Sequence, residues 1–135
     1  MSEHKQLIRV SQVMRSEFYT VDSMATVDEA LRIMKQNNAE SLIVDKRHDE
    51  DEHGLLLISD IARQVLAKDR APERVNVYEI MAKPIIAVDP AMDIRYCARL
   101  FTRFDLSRAP VLENGKVIGF VSFTDLVLRG LCEMY

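Results

Sequence analysis

Gly119-Phe-Val-Ser-Phe-Thr-Asp-Leu126 reads, position for position, as a second version of Gly54-Leu-Leu-Leu-Ile-Ser-Asp-Ile61. Each stretch opens on glycine, runs through apolar residues, meets a hydroxyl and ends on Asp followed by Ile or Leu. The likeness continues outward. Val10-Ser-Gln-Val-Met14 matches Val77-Tyr-Glu-Ile-Met81, and Thr20-Val-Asp22 matches Ala87-Val-Asp89. Met14 and Met81 lie 67 positions apart, whereas Asp60 and Asp125 lie 65 apart. The two-residue difference falls in an acidic loop of the first copy, residues 46–53. Length differences between repeats belong in loops, so an internal duplication is physically sensible.

Each copy then reads as the same unit. A short helical turn ends at Met14 or Met81, and a short strand is predicted over residues 18–21 or 85–88. Thr26 and Glu29 form a T-x-x-E capping box before a helix whose Val27, Ala30, Leu31 and Met34 share one face. Ile94, Cys97, Ala98 and Phe101 repeat that spacing in the second copy. A hairpin follows, clearest where Asn114-Gly115 separates two apolar runs. A second helix is predicted from Ser59 or Thr124, both suitable N-caps. A helical crossover between the first two strands makes them parallel.

One such unit buries too little surface to stand comfortably alone. The expected fold is therefore α/β (α+β), with two βαββα repeats packed sheet to sheet about a pseudo-twofold axis. Residues 1–70 hold the first repeat with the N-terminal segment, and 71–135 the second. Residues 67–76, with Pro72, connect them.

Composition narrows the function classes. Hydrophobic residues make up 48% of the 135, enough for a core, and 18 basic against 21 acidic side chains leave no large basic field. Nucleic acid and anionic membranes are thus not expected as partners. The start lacks a signal-peptide core, and no apolar run is long enough to span a bilayer, which points to the cytoplasm. Cys97 and Cys132 form no CxxC pair. Cys97 falls on the apolar helix face and reads as a small buried thiol. No GxSxG elbow, HExxH pair, P-loop or GxGxxG is present, so an enzyme is not expected.

The ordered set V-x-x-[VI]-M, strand-helix, then G-h-h-[ST]-h-[ST]-D-[IL], occurring twice, resembles a tandem pair of cystathionine-β-synthase-type (CBS) domains, the Bateman module. The resemblance covers roughly residues 10–131. It implies a regulatory module that senses adenosine-containing ligands such as AMP, ADP, ATP, S-adenosylmethionine or NAD in clefts between repeats. It also implies a homodimer. A chain that carries only such a module is expected to act in trans on a protein partner or to sense for itself. A ligand-free dimerisation or interaction module is the alternative.

The resemblance assigns ribose recognition to Ser122 and Asp125. Chemically, a carboxylate accepts two hydrogen bonds and a ribose offers two adjacent hydroxyls. The competing reading is that Ser122 and Asp125 only cap the last helix. Arg108 is placed toward ligand phosphates, which suits its planar fork of donors, or is a plain surface charge. In the first copy Leu57 replaces the hydroxyl beside Asp60, and Ser41, after Glu40, stands where Arg108 does. Unequal clefts are expected. Adenine is assigned Phe18 and Tyr19, with Phe120, on the Asp125 side. On the Asp60 side it is assigned Ile85, Ile86 and Leu55. All of these also fit ordinary core.

Two further features stand apart. Arg95, Arg99 and Arg103 recur every four residues, a like-charge spacing that slightly destabilises a helix unless compensated. His48-Asp-Glu-Asp-Glu-His53 offers metal donors without the spacing of a known site, and a solvated acidic loop is the expected reading.

Overall fold

The structure is a computed structural model that describes residues 6–135. The chain divides into two compact units, one formed by Phe18–Ile85 and the other by residues up to Glu17 together with Ile86–Tyr135. The packing units thus differ from the sequence division at residues 70 and 71: each repeat gives its first helical turn to the other.

In the unit of Phe18–Ile85, β1 (Thr20–Val21) pairs parallel with β2 (Ser41–Val44), which pairs antiparallel with β3 (Gly54–Leu57). Between β1 and β2 runs a helix, Val27–Asn37. It starts where Thr26 Oγ1 accepts from Glu29 N at 3.2 Å and ends where Asn38 turns left-handed at φ 51°. Its Val27, Ala30 and Met34 meet Leu42, Val44 and Leu56 in the core. Val77 and Ile80, from the head of the second repeat, are buried in that same core.

The other unit repeats this plan. A helix at Ile94–Phe104 buries Ile94, Cys97 and Phe101 against β4 (Arg108–Glu113) and β5 (Lys116–Ser122). Asn114 and Gly115 join these strands with positive φ at both positions, 53° and 77°, as a type I′ turn requires. Val10 and Val13, from the head of the first repeat, complete this core. Burial pushes the Cys97 thiol up to about 11, as for an unreactive core cysteine.

The two heads are fastened by matching backbone bonds. Val10 N donates to Met92 O at 2.8 Å, as Val77 N does to Ala25 O at 2.8 Å. Arg15 and Phe120 exchange two bonds of 2.8 Å, and Ala82 and Leu55 exchange two of 2.9 Å. Gly119 makes the Arg15 approach feasible, since a Cβ there would lie 2.3 Å from Arg15 O.

The predicted strand at 85–88 is corrected to a single parallel bridge, Val88 to Val111. In the first repeat Ile43 N donates to Tyr19 O at 2.9 Å. The residue matching Ile43 is Pro110, which has no N–H, so the equivalent bond upstream of Val88 cannot form. The strand expected over 18–21 is likewise reduced to Thr20–Val21.

The last helix of each repeat begins earlier than predicted. Ile58–Ile61 is helical from Ile58 and continues as a π-wound segment, Ala62–Leu66. Phe123 and Thr124 are likewise already helical before the π-wound Asp125–Leu131 and the final turn Cys132–Met134. Neither Ser59 nor Thr124 is the cap. No helix among the described residues is long and apolar enough to cross a membrane.

Two of the three arginines in the row have local partners. Arg95 grips Asp93 through Nε and Nη2, the latter at 2.7 Å, and Arg99 lies 5.2 Å from the centre of the Tyr96 ring. In the acidic loop, Asp51 takes Lys83 Nζ at 2.5 Å and Arg47 N at 3.0 Å, and the Lys83 ammonium holds its carboxyl well below the usual range.

Two predictions follow from these contacts. Gly119→Ala should cost about 1–3 kcal/mol by forcing Arg15 off β5, whereas Gly115→Ala, with nothing within 4 Å of the added carbon, should cost only the backbone strain of about 1–2 kcal/mol. Urea unfolding compares them, and a smaller loss for Gly119→Ala than for Gly115→Ala would contradict the close approach of Arg15 to β5. Asp93, held below its ordinary value of 3.8 chiefly by Arg95, stabilises the fold above that value and loses the contribution as pH falls through its folded one. Asp93→Asn should therefore show a shallower drop in Tm on acidification than the parent chain.

Candidate functional site

β5 ends at Ser122, and the chain turns directly into the last helix. Ser122 N and Ser122 Oγ both donate to Asp125 Oδ2 at 3.0 Å, and Asp125 N donates back to Ser122 Oγ at 3.2 Å. The capping reading of this pair is therefore realised. It engages only one carboxylate oxygen, so it leaves the acceptor role of the other open.

Asp125 is 2% exposed. A carboxylate buried to that degree needs a counter-charge. Arg15 supplies it, with Nε donating to Asp125 Oδ1 at 3.0 Å, and Arg129 Nη1 stands 3.9 Å from the same oxygen. The Arg15 side chain is 64% exposed, against 3% for that of Asp125.

The hairpin register sets the remaining residues. Arg108 faces Ser122 across the β4–β5 ladder, and Phe120 faces Pro110. Phe120 also carries the backbone of Arg15. Arg108 and Phe120 are both half-buried. Four of the residues picked from the sequence, Arg108, Phe120, Ser122 and Asp125, thus share one unit, along one hairpin and the helix that follows it.

The equivalent corner of the first repeat is poorer. Asp60 Oδ2 accepts from Leu57 N at 2.9 Å, the backbone half of the same box, but Leu57 has no hydroxyl to add. Ser41, buried, faces Leu57 in the ladder where Arg108 faces Ser122. Phe18, Tyr19 and Ile85 belong to this unit and are half-buried, while Ile86 belongs to the other unit and is 40% exposed. Ile85 and Ile86 sit on no strand.

Arg15 and Arg129 were not found by reading the sequence. Arg129 carried a weak signal, four residues after Asp125 and so on the same side of a helix. Arg15 carried none: it is 110 positions from its partner, and only the exchange of heads between repeats brings them together.

The site can now be set beside known proteins. YhcV, a CBS domain-containing protein of Bacillus subtilis, is 26% identical over 120 residues, covering 89% of this chain and 84% of its own length. Other curated relatives are longer, and the chain spans 23% to 64% of them. Among solved structures, a hexameric CBS-CP12 protein from bloom-forming cyanobacteria superposes with a TM-score of 0.88 at 34% identity, over 91% of this chain and 68% of that one. The CBS domain pair of the protein MJ0100, solved with 5′-methylthioadenosine and S-adenosyl-L-methionine, shares the fold with a TM-score of 0.80 at 21% identity, over 95% and 99% of the two chains. The family model for the CBS domain matches twice, at residues 10–67 and 77–130, and the chain belongs to the CBS domain family as a tandem pair.

Proposed function

We propose that the chain is a regulatory module that binds an adenosine-containing nucleotide at the Ser122–Asp125 corner of the second repeat. The observation that carries this reading is the buried Asp125, whose Oδ1 meets the exposed side chain of an arginine rather than the protein interior. A capping carboxylate needs no burial of this kind and no second cation. The bound adenosyl compounds in the MJ0100 structure support the ligand class. Ser122 adds a hydroxyl, and Arg108, its direct partner across the ladder, adds a guanidinium. The first repeat lacks both features, so one site per chain is the expected stoichiometry.

AMP or ATP should raise Tm. At about 100 times its dissociation constant a ligand adds about 2.7 kcal/mol of stability, which for a chain of this length means about 8–12 °C. Because Asp125 is buried and multiply bonded, Asp125→Asn should itself cost about 1–3 kcal/mol. Each variant is therefore compared with its own ligand-free melting. Asp125→Asn should abolish the shift and Asp60→Asn should retain it. The opposite pattern, or two equal sites by calorimetry, would overturn the assignment.

A dimerisation role has its own observation. Val127, Leu128 and Leu131 of the last helix are 44%, 61% and 46% exposed, an apolar strip that water does not favour. We infer that the chain self-associates as a homodimer through this strip; the cyanobacterial relative is also an oligomer, though of six subunits. Leu128→Glu should lower the mass measured by light scattering while leaving Tm nearly unchanged. A monomeric parent chain at tens of micromolar would refute the dimer.

A further inference from the structure

We propose that Arg15 is a charge-selective gate on the Asp125 acceptor: its guanidinium closes the carboxylate in the ligand-free chain and, once displaced by a ribose, stays to meet an anionic phosphate. The proposal deepens the nucleotide reading above and rests on it.

A carboxylate has about four acceptor positions over two oxygens. Oδ2 of Asp125 is occupied by Ser122 N and Ser122 Oγ, and Oδ1 receives Arg15 Nε with Arg129 Nη1 close behind. A ribose that brings two hydroxyl donors cannot seat both while Arg15 is there. The exposures say which group must yield. Arg15 lies outside and Asp125 beneath, so access to Oδ1 is gained by moving the arginine side chain.

The contact is built to open. Only Nε of the guanidinium is engaged with Asp125, not a two-point fork, and an ion pair with one partner mostly in water is weak. The backbone is held differently. Arg15 N and Phe120 N each donate to the other residue's carbonyl at 2.8 Å, in close approach to Gly119, so the segment at Arg15 is a strap fixed to β5. Rotation of the side chain therefore frees the carboxylate without moving the strap, and the guanidinium remains tethered at the corner.

The consequence is selectivity by charge. With Arg15 displaced, its donors and those of Arg129, itself 43% exposed, stand beside one carboxylate, two positive charges against one negative. Two guanidiniums favour a phosphate, which they bind through planar forks. They offer nothing to neutral adenosine, and they repel the sulfonium of S-adenosylmethionine.

The test is calorimetry on the full chain with adenosine, AMP and S-adenosylmethionine, using the parent, Arg15→Gln and Arg15→Lys. Arg15→Gln should bind adenosine about three- to tenfold more tightly, since an exposed ion pair no longer competes, and its preference for AMP over adenosine should fall about tenfold. Arg15→Lys keeps the charge without the Nε donor, so it should also tighten adenosine while keeping most of the preference for AMP. Unchanged adenosine affinity and an unchanged AMP preference in both variants, with binding intact, would overturn the gate and leave the nucleotide site standing. Failure of every adenosyl compound to bind the parent and both variants would overturn the site and the gate together.

Discussion

Ile94 N donating to Ile8 O at 3.0 Å, with Val10 N donating to Met92 O, fixes the head of the first repeat to the helix start of the second, and Val27 N to Val75 O at 2.8 Å does the reverse. The apolar side chains follow the backbone. Val10 and Val13 enter the core around Phe101, and Val77 and Ile80 enter the core around Leu42. Neither core is complete without residues from the other copy. Since a single repeat of this size buries little surface, exchange is a physical answer to the smallness of the unit. It also sets where Arg15 lies, because the segment after the helical turn has only one course left, along β5.

The two corners show how one substitution changes the electrostatic character of a duplicated site. In the second repeat, the Ser122 hydroxyl closes a reciprocal box, and the carboxylate below it is buried with two cations. In the first, Leu57 leaves Asp60 with a single backbone donor among the bonds of that box, and the carboxylate stays half-buried. A helix start tolerates either arrangement, since a first-turn acid is favourable in both. Only the arrangement around Asp125 holds a charge in a place where its partners matter.

Much of the fold was legible because it is local. The spacing of Val27, Ala30 and Met34 and the Asn114-Gly115 turn act within a few residues and form as read, and of the Thr26 box the half in which Thr26 Oγ1 accepts from Glu29 N is formed. The errors were also local, but of a kind that spacing hides. Pro110 looks like one more apolar position until its missing N–H is set against Ile43 N in the matching repeat. The helix starts were misplaced because Ser59 and Thr124 are good caps in isolation, while Asp60 and Asp125, three residues on, bond the earlier positions Leu57 and Ser122. Of the site, the part within one hairpin was readable: Arg108, Phe120, Ser122 and Asp125. Arg15 was not, since its pairing follows from the exchange of heads and no periodicity encodes it.

The exchange has a further consequence for how the chain assembles. Phe18–Ile85 is continuous, so every group its core needs lies within one uninterrupted stretch of polypeptide. The other unit is split, its strap and its hairpin separated by that whole stretch. Closing a long loop costs entropy that grows slowly with length, and here the inserted segment is itself a folded body. Order within the insertion shortens the effective loop and lowers that cost. During synthesis the continuous unit is finished first, and the split one waits for residues beyond 86. The Arg15–Asp125 pair, 110 positions apart, needs both ends of the split unit and so waits for the last helix to be made.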